Sequence, residues 1–323
     1  MINRNFKNCL ITGSTGSGGS YLCEHIIKRN NKIKLHGTYR SNGYLNYLKN
    51  NYKNKIKFHK LDLNSFNKVK KLIKKIKPEL IFHIASNADV RSSFDNPFEI
   101  INNNNNITLN LLEAVRIENK NSLIVICSTS EVYGNVSKKD IPISEQQKIN
   151  PVNPYSLSKT FQDLTSQIYY KNYKLNIIIT RMFSYTNARR YNLFQTAFAN
   201  QIAKIEQGKQ KILLHGNLKS VRTFMDIEDA MEAYWLTAKK GKIGEIYNMG
   251  GNKIISVGEY LSELKKISFT TIKSKINPKL LRPIDVTLQI PNDKKFRKHT
   301  GWRPKISFKK SINKLLQECR NKI

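Results

Sequence analysis

The 323-residue chain has few cysteines, histidines and prolines, and it has no long apolar run. Its four cysteines and six histidines are dispersed, so their spacing predicts neither a disulfide framework nor a metal site. No segment approaches the roughly 18 consecutive apolar residues of a membrane-spanning helix, so we expect no membrane partner. The polar N-terminus runs into a short apolar strand rather than a secretory signal, and we therefore expect a cytoplasmic protein.

Acidic residues are also scarce: Asp and Glu total 23 against 56 Lys and Arg, which gives a net charge of +33. Such an excess makes nucleic acid the first partner to consider. The lysines are nevertheless scattered along the whole chain, and no basic stretch carries the interleaved aromatic residues of a single-strand-binding platform. We therefore predict no nucleic-acid partner. A basic nucleic-acid-binding protein without catalysis stays as the alternative from a different functional class.

Short apolar runs alternate with helical patterns through the first half of the chain. Several runs are apolar at consecutive positions, which is typical of strands buried on both faces of a parallel sheet. The pattern predicts an α/β fold, with a doubly wound parallel-sheet Rossmann domain at residues 1–186 and a smaller C-terminal α/β substrate lobe at 187–323. Segments near 220–249 are expected to return to the first domain. The predicted strands are Cys9–Ile11, Ile33–Tyr39, Ile56–Leu61, Leu80–Ala85, Leu123–Ser128, Asn176–Thr180 and Ile246–Met249.

Helices are predicted between these strands and in the second lobe. One covers Gln195–Gln207. In another, apolar residues recur at spacings of four, three and four, which places Leu157, Phe161, Leu164 and Ile168 on one helix face.

A glycine-rich turn follows the first predicted strand. Gly13, Gly16 and Gly19 are spaced G-x-x-G-x-x-G, with Ser17 between them. Glycine lets such a turn adopt a positive φ and lets the backbone approach a pyrophosphate, which the amides of the following helix then bind. Between a strand and a helix, the motif predicts a dinucleotide-binding loop.

The end of the second strand bears on the choice of cofactor. An NAD-preferring site places Asp or Glu here for the ribose 2′-hydroxyl, whereas an arginine suits the 2′-phosphate of NADP. Arg40 therefore favours NADP, with NAD as the alternative. Asp62 and Leu63, after the third strand, are expected to contact the adenine, although Asp62 equally fits a helix cap.

Hydroxyl and acidic side chains stand at the end of the fifth strand, and a tyrosine–lysine pair follows. Thr129, Ser130 and Glu131 end the strand, and Tyr155 and Lys159 are four residues apart on a predicted helix, hence on one face. A lysine beside a tyrosine is expected to lower the pKa of the phenol, which makes the phenolate usable as a base. These five residues are the predicted catalytic set.

With these motifs, the sequence resembles the extended short-chain dehydrogenase/reductase family, and within it the GDP-mannose 4,6-dehydratase branch. The resemblance covers nearly the whole chain. The segments that carry it are Gly19–Leu22, Ser128–Glu131, Gly216–Arg222, Leu281–Pro283 and Gly301–Pro304.

The resemblance implies a redox-neutral loss of water from a GDP-hexose, giving a GDP-4-keto-6-deoxyhexose. Tyr155 would take the proton of the sugar 4-hydroxyl, Thr129 would bind the C4 oxygen, and Lys159 would hold the cofactor ribose. Glu131 would remove the C5 proton, and Glu131 or Ser130 would help water leave C6. By the same resemblance, Ala85 and Asn104 join the cofactor site, and the GDP-sugar is bound by Asn217, Arg222, Arg282 and Asp285.

The sequence departs from the mannose enzymes in the predicted sugar pocket. Where those enzymes typically read Ala-Gln-Ser-His, this chain reads Ser-Asn-Ala-Asp with Asn87 in second place, and Ser93 follows; where they read Phe-Asn, it has Ser184 in place of the Asn. The smaller side chains favour a larger substituent on the sugar. They point to the related GDP-N-acetylglucosamine 4,6-dehydratases of legionaminic acid biosynthesis, with GDP-mannose as the next candidate.

A second enzyme class remains open on the same fold. The tail also resembles GDP-4-keto-6-deoxymannose reductases, which would consume NADPH stoichiometrically, whereas a dehydratase regenerates its cofactor in each turnover. Family members pair through two helices into a four-helix bundle, so a homodimer is expected, with a tetramer as the alternative.

Overall fold

The computed structural model describes residues 2–323 and consists of a large parallel sheet covered by helices and a smaller lobe. The strands are β1 Asn8–Thr12, β2 Lys34–Tyr39, β3 Ile56–Lys60, β4 Leu80–His83, β5 Leu123–Thr129, β6 Asn176–Met182, β7 Leu213–His215, β8 Val221–Phe224, β9 Ile246–Met249, β10 Lys253–Ser256, β11 Ser274–Ile276 and β12 Leu288–Gln289. The α-helices are α1 Ser17–Arg29, α2 Leu45–Asn51, α3 Phe66–Ile76, α4 Ser92–Asp95, α5 Pro97–Glu118, α6 Pro154–Tyr173, α7 Phe194–Glu206, α8 Ile227–Lys240, α9 Val257–Lys266, α10 Lys294–Thr300 and α11 Phe308–Arg320. Short 3₁₀ turns cover Ser130–Tyr133, Lys138–Asp140 and Pro278–Leu280.

Within residues 2–323, seven strands form the large sheet in the order β3-β2-β1-β4-β5-β6-β9. Each neighbouring pair is parallel. The order reverses between β1 and β4, which opens a crevice at the carboxyl ends of the strands. The predicted doubly wound α/β fold is confirmed.

Strand β5 illustrates why these runs form central strands. Its side chains alternate between two cores, so that Val125 packs towards α1 and α8 while Ile124 and Ile126 pack towards α3 and α5. A central strand with apolar side chains on both faces therefore reads as a continuous apolar run.

All the predicted strands are present, with small differences at their ends. Strand β9 has the predicted bounds, and β6 runs to Met182 rather than Thr180. Strand β4 ends at His83, two residues before the predicted end, because the chain bends where Ala85 packs against the glycine loop.

The second lobe has its own core, built from α7, α9 and α11. It carries a three-stranded sheet, β10-β8-β12, and a two-stranded sheet, β11-β7. The predicted helix Gln195–Gln207 is α7. Helix α8 and β9 lie with the large sheet, and so do Phe296 and Trp302, which the sequence analysis places in the second lobe. In residues 2–323, no helix is long and apolar enough to span a membrane.

Helix α6 has an unusual orientation. Its apolar stripe faces outward, with Leu157, Leu164 and Ile168 exposed. The buried positions of α6 are almost all polar or charged, and they include Lys159 and Asp163. The chemistry-bearing face of this helix therefore points into the molecule.

Candidate active site

A cleft of about 430 Å³ opens at the carboxyl ends of the strands of the large sheet. It brings together residues from the glycine loop, the ends of β2 to β6 and the second lobe. Of the residues predicted from the sequence, the cleft is lined by Gly13, Gly16, Ser17, Gly19, Arg40, Asp62, Leu63, Ala85, Asn87, Thr129, Ser130, Glu131, Tyr155, Lys159, Ser184, Arg222 and Arg282.

The glycine loop forms a tight cradle at one end of the cleft. Gly13 has φ +66°, and a Cβ there would lie 2.9 Å from the Ala85 Cα. A Cβ at Gly19 would lie 2.2 Å from the Gly13 carbonyl oxygen, so a side chain cannot fit there. Gly16 caps α1 without any side-chain hydrogen bond, and the first turn of α1 holds no acidic residue. The free amides of this helix are therefore open to a phosphate group.

Arg40 and Asp62 follow β2 and β3, and both line the cleft. Arg40 follows β2, and its Nη1 donates to the Asn103 Oδ1 at 3.1 Å. The pKa of Asp62 is lowered, first by the hydrogen bond from the Asn64 amide and also by the Arg40 cation. Asp62 therefore serves as a local turn-forming acceptor while its side chain lines the cleft.

Tyr155 and Lys159 lie on the buried face of α6, which a capping box of Asn153 and Ser156 starts. The Lys159 Nζ donates to the Cys127 carbonyl oxygen at 2.6 Å and also to the Gln162 Oε1. Burial lowers the pKa of the Lys159 ammonium to about 8. Lysine has three donors, so one N–H remains for a group in the cleft.

The prediction that Lys159 lowers the pKa of the Tyr155 phenol is wrong. Burial raises the pKa of Tyr155 to about 12, and the Arg190 cation and a hydrogen bond with Thr129 only partly oppose this shift. The physical reason is that desolvation of the phenolate outweighs these interactions, while the Lys159 ammonium bonds to two oxygen atoms elsewhere.

Glu131 is held by residues from both lobes. Its carboxylate accepts from the Asn153 Nδ2 at 3.3 Å and from the Gln289 Nε2 at 3.4 Å, and the Arg222 Nη1 lies 3.8 Å away. Arg222 and Gln289 are register partners on β8 and β12, and they hydrogen-bond each other. Contacts from both lobes thus fix the Glu131 carboxylate in the cleft.

Four predicted residues do not line the cleft: Ser93, Asn104, Asn217 and Asp285. Asn104 acts one layer behind it, where its side chain accepts from the Asn87 amide at 2.7 Å and donates to the Asn87 carbonyl oxygen at 3.0 Å. Asp285 accepts from the Asn217 side chain at 2.8 Å. Ser93 is fully buried, and its hydroxyl donates to the Val90 carbonyl oxygen at 2.6 Å, so it is not placed to contact a ligand.

Asp285 organises the two arginines of the second lobe. One of its oxygens lies 3.8 Å from the Arg222 Nη2 and 3.6 Å from the Arg282 Nη1. The carboxylate therefore supports the arginines from behind while both line the cleft.

Sequence reasoning missed three residues that shape the site. Arg190, in the loop after β6, lines the cleft and donates to the Ala88 carbonyl oxygen. Gln289 and Asn153 bind the Glu131 carboxylate. Asn153 stood in the helix-capping pattern before Tyr155, whereas no local pattern marks Arg190 or Gln289.

The charge of the cleft is strongly positive. Its lining contains five cationic side chains, of Arg40, Lys159, Arg190, Arg222 and Arg282, against the two carboxylates of Asp62 and Glu131. Such a lining suits ligands that carry several phosphate groups. All four cysteines are buried free thiols, and within residues 2–323 no group of three or more His, Cys, Asp or Glu side chains could hold a metal ion.

Comparison with known proteins shows which family the chain resembles. The sequence profile of GDP-mannose 4,6 dehydratase matches residues 10–315. GDP-mannose 4,6 dehydratase 2 of Caenorhabditis elegans is 29% identical, and the alignment covers 97% of this chain and 89% of that protein.

Solved structures share the fold. The structure of RMD from Pseudomonas aeruginosa complexed with NADPH has a TM-score of 0.82 at 22% identity, covering 98% of this chain and 100% of that one. UDP-glucuronic acid 4-epimerase from Bacillus cereus, in complex with UDP-glucuronic acid and NAD, has a TM-score of 0.86 at 24% identity, with the same coverage. Since the family profile spans almost the entire sequence, the chain belongs to the GDP-mannose 4,6 dehydratase family of nucleotide-sugar enzymes.

Proposed function

We propose that the protein is a GDP-hexose 4,6-dehydratase that makes a GDP-4-keto-6-deoxyhexose with tightly bound NADP. The observation that carries the proposal is the presence of Thr129, Glu131, Tyr155 and Lys159 in the cleft that also contains the glycine loop. An oxidoreductase needs only the tyrosine and the lysine, whereas elimination of water needs a further acid–base group beside the sugar. Glu131 is that group.

The glycine cradle fits a dinucleotide, because a Cβ at Gly13 or Gly19 would fill it. Gly13, Gly16, Ser17 and Gly19 would hold the pyrophosphate, with Asp62, Leu63 and Ala85 nearer the adenosine and Lys159 at the nicotinamide ribose. When bound, a nicotinamide would accept a hydride from the sugar C4 and return it to C6. Of the two solved structures named above, one contains NADPH and the other NAD. In this chain the residue after β2 is Arg40 and not an acidic residue, which supports NADP.

The side chains around the sugar divide the proton transfers. Tyr155 takes the proton of the 4-hydroxyl, assisted by the Lys159 ammonium, and the Thr129 hydroxyl orients the C4 oxygen. A ketone at C4 acidifies the C5–H bond, so the Glu131 carboxylate removes that proton. Protonated Glu131, with the Ser130 hydroxyl, then donates to the leaving 6-hydroxyl.

The second lobe supplies the nucleoside diphosphate contacts. Arg222 and Arg282 line the cleft, and guanidinium groups bind phosphate oxygens through paired hydrogen bonds. Asp285, held by Asn217, keeps the two arginines close to each other.

The sugar we propose is GDP-N-acetylglucosamine, with GDP-mannose as the next candidate. Asn87 and Ser184 line the cleft, and both have short side chains. The Asn87 Oδ1 accepts from the Asp89 amide at 3.4 Å, so this side chain folds back onto its own loop. The space left supports a sugar with an acetamido substituent.

The test is incubation of the purified protein with GDP-mannose, GDP-N-acetylglucosamine and GDP-glucose, with products read by mass spectrometry. We expect a product lighter by one water and no net consumption of NADPH. Stoichiometric NADPH oxidation with a GDP-4-keto-6-deoxyhexose, and no loss of water from any GDP-sugar, would instead identify a reductase.

Competition in one tube sharpens the sugar assignment. If the pocket is shaped for the acetamido group, GDP-N-acetylglucosamine is consumed with the higher kcat/KM. A pocket that lacks room for this group would pay an overpacking cost of about 1–3 kcal/mol, which corresponds to about 5- to 150-fold discrimination against the acetamido sugar. The double variant Asn87→Gln, Ser184→Asn should shift the preference towards GDP-mannose. Preferential loss of GDP-mannose by the unmodified protein would reject the acetamido assignment and leave the dehydratase standing.

We also propose that two copies pair through α5 and α6. Leu157, Leu164 and Ile168 form an exposed apolar stripe on α6, and Phe98 is exposed at the start of α5. Exposed apolar stripes of this kind mark protein contacts. A second copy would cover them as a homodimer, with a tetramer as the alternative.

A further inference from the structure

Gln162 lies one helical turn after Lys159 and is almost fully buried. The Lys159 Nζ donates to the Gln162 Oε1, and its second bond goes to the Cys127 carbonyl oxygen at 2.6 Å. Gln162 therefore supplies the only side-chain acceptor that Lys159 bonds to within residues 2–323.

The other end of the Gln162 amide is fixed by Thr108 of α5. The Gln162 Nε2 donates to the Thr108 Oγ1 at 3.1 Å. The Thr108 hydroxyl donates its own proton to the Asn104 carbonyl oxygen at 2.8 Å, so it can only accept from its other neighbours.

His83 of β4 extends the chain of hydrogen bonds. Its Nε2 lies 3.1 Å from the Thr108 Oγ1, which accepts, so Nε2 carries the proton. Its Nδ1 then accepts from the Thr12 hydroxyl at 3.0 Å, and the Thr12 oxygen accepts from the Ala85 amide at 3.2 Å. Burial lowers the pKa of His83 to about 3, consistent with a neutral ring.

These bonds allow one orientation of the Gln162 amide. A flipped amide would point its NH₂ group at the Lys159 ammonium, donor against donor. It would also point its oxygen at Thr108, whose proton is already used. The network from Thr12 to Gln162 thus presents a carbonyl oxygen to Lys159.

We propose that Gln162 is a positioning residue that, held by Thr108 and His83, fixes the Lys159 ammonium so that its third N–H points towards the cleft. The proposal rests on the proposed function only in that Lys159 assists Tyr155. Gln162 does not line the cleft, and it acts through Lys159.

The charged and titratable groups facing Lys159 come from several elements. They are Cys127 of β5, His83 of β4, Arg190 of the loop after β6, and Tyr155 and Asp163 of α6. Arg190 lowers the pKa of Lys159, whereas Asp163 raises it although its carboxylate is bonded to Arg181. Loss of the Gln162 oxygen would leave the ammonium with one acceptor and lower its pKa further.

The test compares Gln162→Leu with Gln162→Glu in the full-length protein, using the dependence of kcat on pH for loss of water. In Gln162→Leu we expect kcat to fall about tenfold or more near neutral pH, with little change in KM for the GDP-hexose, because a hydrogen bond to a charged group is lost. The alkaline limb of its kcat–pH profile, where the Lys159 ammonium loses its proton, should move about one pH unit lower. In Gln162→Glu the added carboxylate should move that limb higher. Gln317→Leu, at an exposed position of α11, is the matched control and should leave both unchanged.

A second readout does not depend on the substrate. Binding of NADPH and NADH is followed by fluorescence across the same pH range. As the pH rises, the affinity should begin to fall at a lower pH in Gln162→Leu than in the unmodified protein. If no GDP-hexose loses water, the proposed function fails while this readout still tests Gln162. Unchanged pH limbs and unchanged cofactor binding in Gln162→Leu would overturn the proposal. If Gln162→Leu does not fold, an alkaline limb in Gln162→Glu that does not move would overturn it equally.

Discussion

Helices α6 and α8 both pack against β5 and β6, on opposite faces of the large sheet, and they bury opposite kinds of surface. Helix α8 buries Met231, Tyr234 and Trp235 and leaves its acidic and basic residues mostly outside. Helix α6 buries Lys159, Gln162 and others of its polar residues, and exposes leucines. Burial of apolar area stabilises α8; α6 must instead satisfy each buried polar group with a hydrogen bond.

The difference shows how one sheet supports both stability and chemistry. Helix α8 anchors the sheet by packing. Helix α6 carries a hydrogen-bonded surface that holds Tyr155 and Lys159 in fixed positions, and its outer apolar face is exposed.

The largest effect is expected at the buried polar face of α6. Tyr155→Phe removes the proposed base, and the rate of water loss should fall by about 10²–10⁴-fold. Quenched assays by mass spectrometry measure it. Tyr169→Phe on the same helix, whose hydroxyl bonds to Glu113 away from the cleft, is the control and should keep full activity. Wild-type turnover in Tyr155→Phe would remove this residue from the mechanism.

The next effect concerns the ion pair beneath the site. The Arg181 Nε and Nη2 donate to Asp163 at 2.9 and 3.0 Å, and both side chains are buried. Asp163→Leu leaves an uncompensated buried cation and should cost about 3–5 kcal/mol in the free energy of unfolding, measured in urea. The double variant Asp163→Leu, Arg181→Met should recover part of that loss. A double variant no more stable than the single one would show that the pair is not the cause.

Packing of α8 is tested by Met231→Ala. Its side chain is 1% exposed, and the cavity left should lower the free energy of unfolding by about 2–5 kcal/mol without changing the pH dependence of activity. The matched change on α6 is Leu164→Ala, 45% exposed, which should cost less than about 0.5 kcal/mol in dilute protein. Equal losses at the two positions would contradict the contrast between the helices.

The smallest effect is expected on the outer face of α6. Leu157→Ser and Ile168→Ser should each weaken self-association by about 1–2 kcal/mol, or roughly 5- to 30-fold in the dissociation constant. Light scattering after gel filtration over a dilution series measures this. Ile254→Ser, equally exposed on β10, is the control. A dimer that is unaffected by both α6 changes would place the interface elsewhere.

Features that are local in the chain were predictable from the sequence alone. The spacing of Gly13, Gly16 and Gly19 marks the glycine loop, where a Cβ at Gly13 or Gly19 would clash. Tyr155 and Lys159 share a face because the helix repeats every 3.6 residues. The parallel sheet was predictable because strands buried on both faces are apolar at consecutive positions.

Features that depend on residues far apart in the chain became visible only in the folded protein. Gln289 reaches Glu131 from 158 residues away, and no spacing rule predicts it. The spacing of Leu157, Leu164 and Ile168 predicts one apolar face on α6, and that face points outward because polar side chains on the opposite side of the helix bond to β5, β6 and α5. Likewise, the Tyr155 phenol has a raised pKa because burial acts on it more strongly than its charged neighbours do. Side-chain partners and desolvation exist only once the chain is folded, and they determine which of the predicted groups can react.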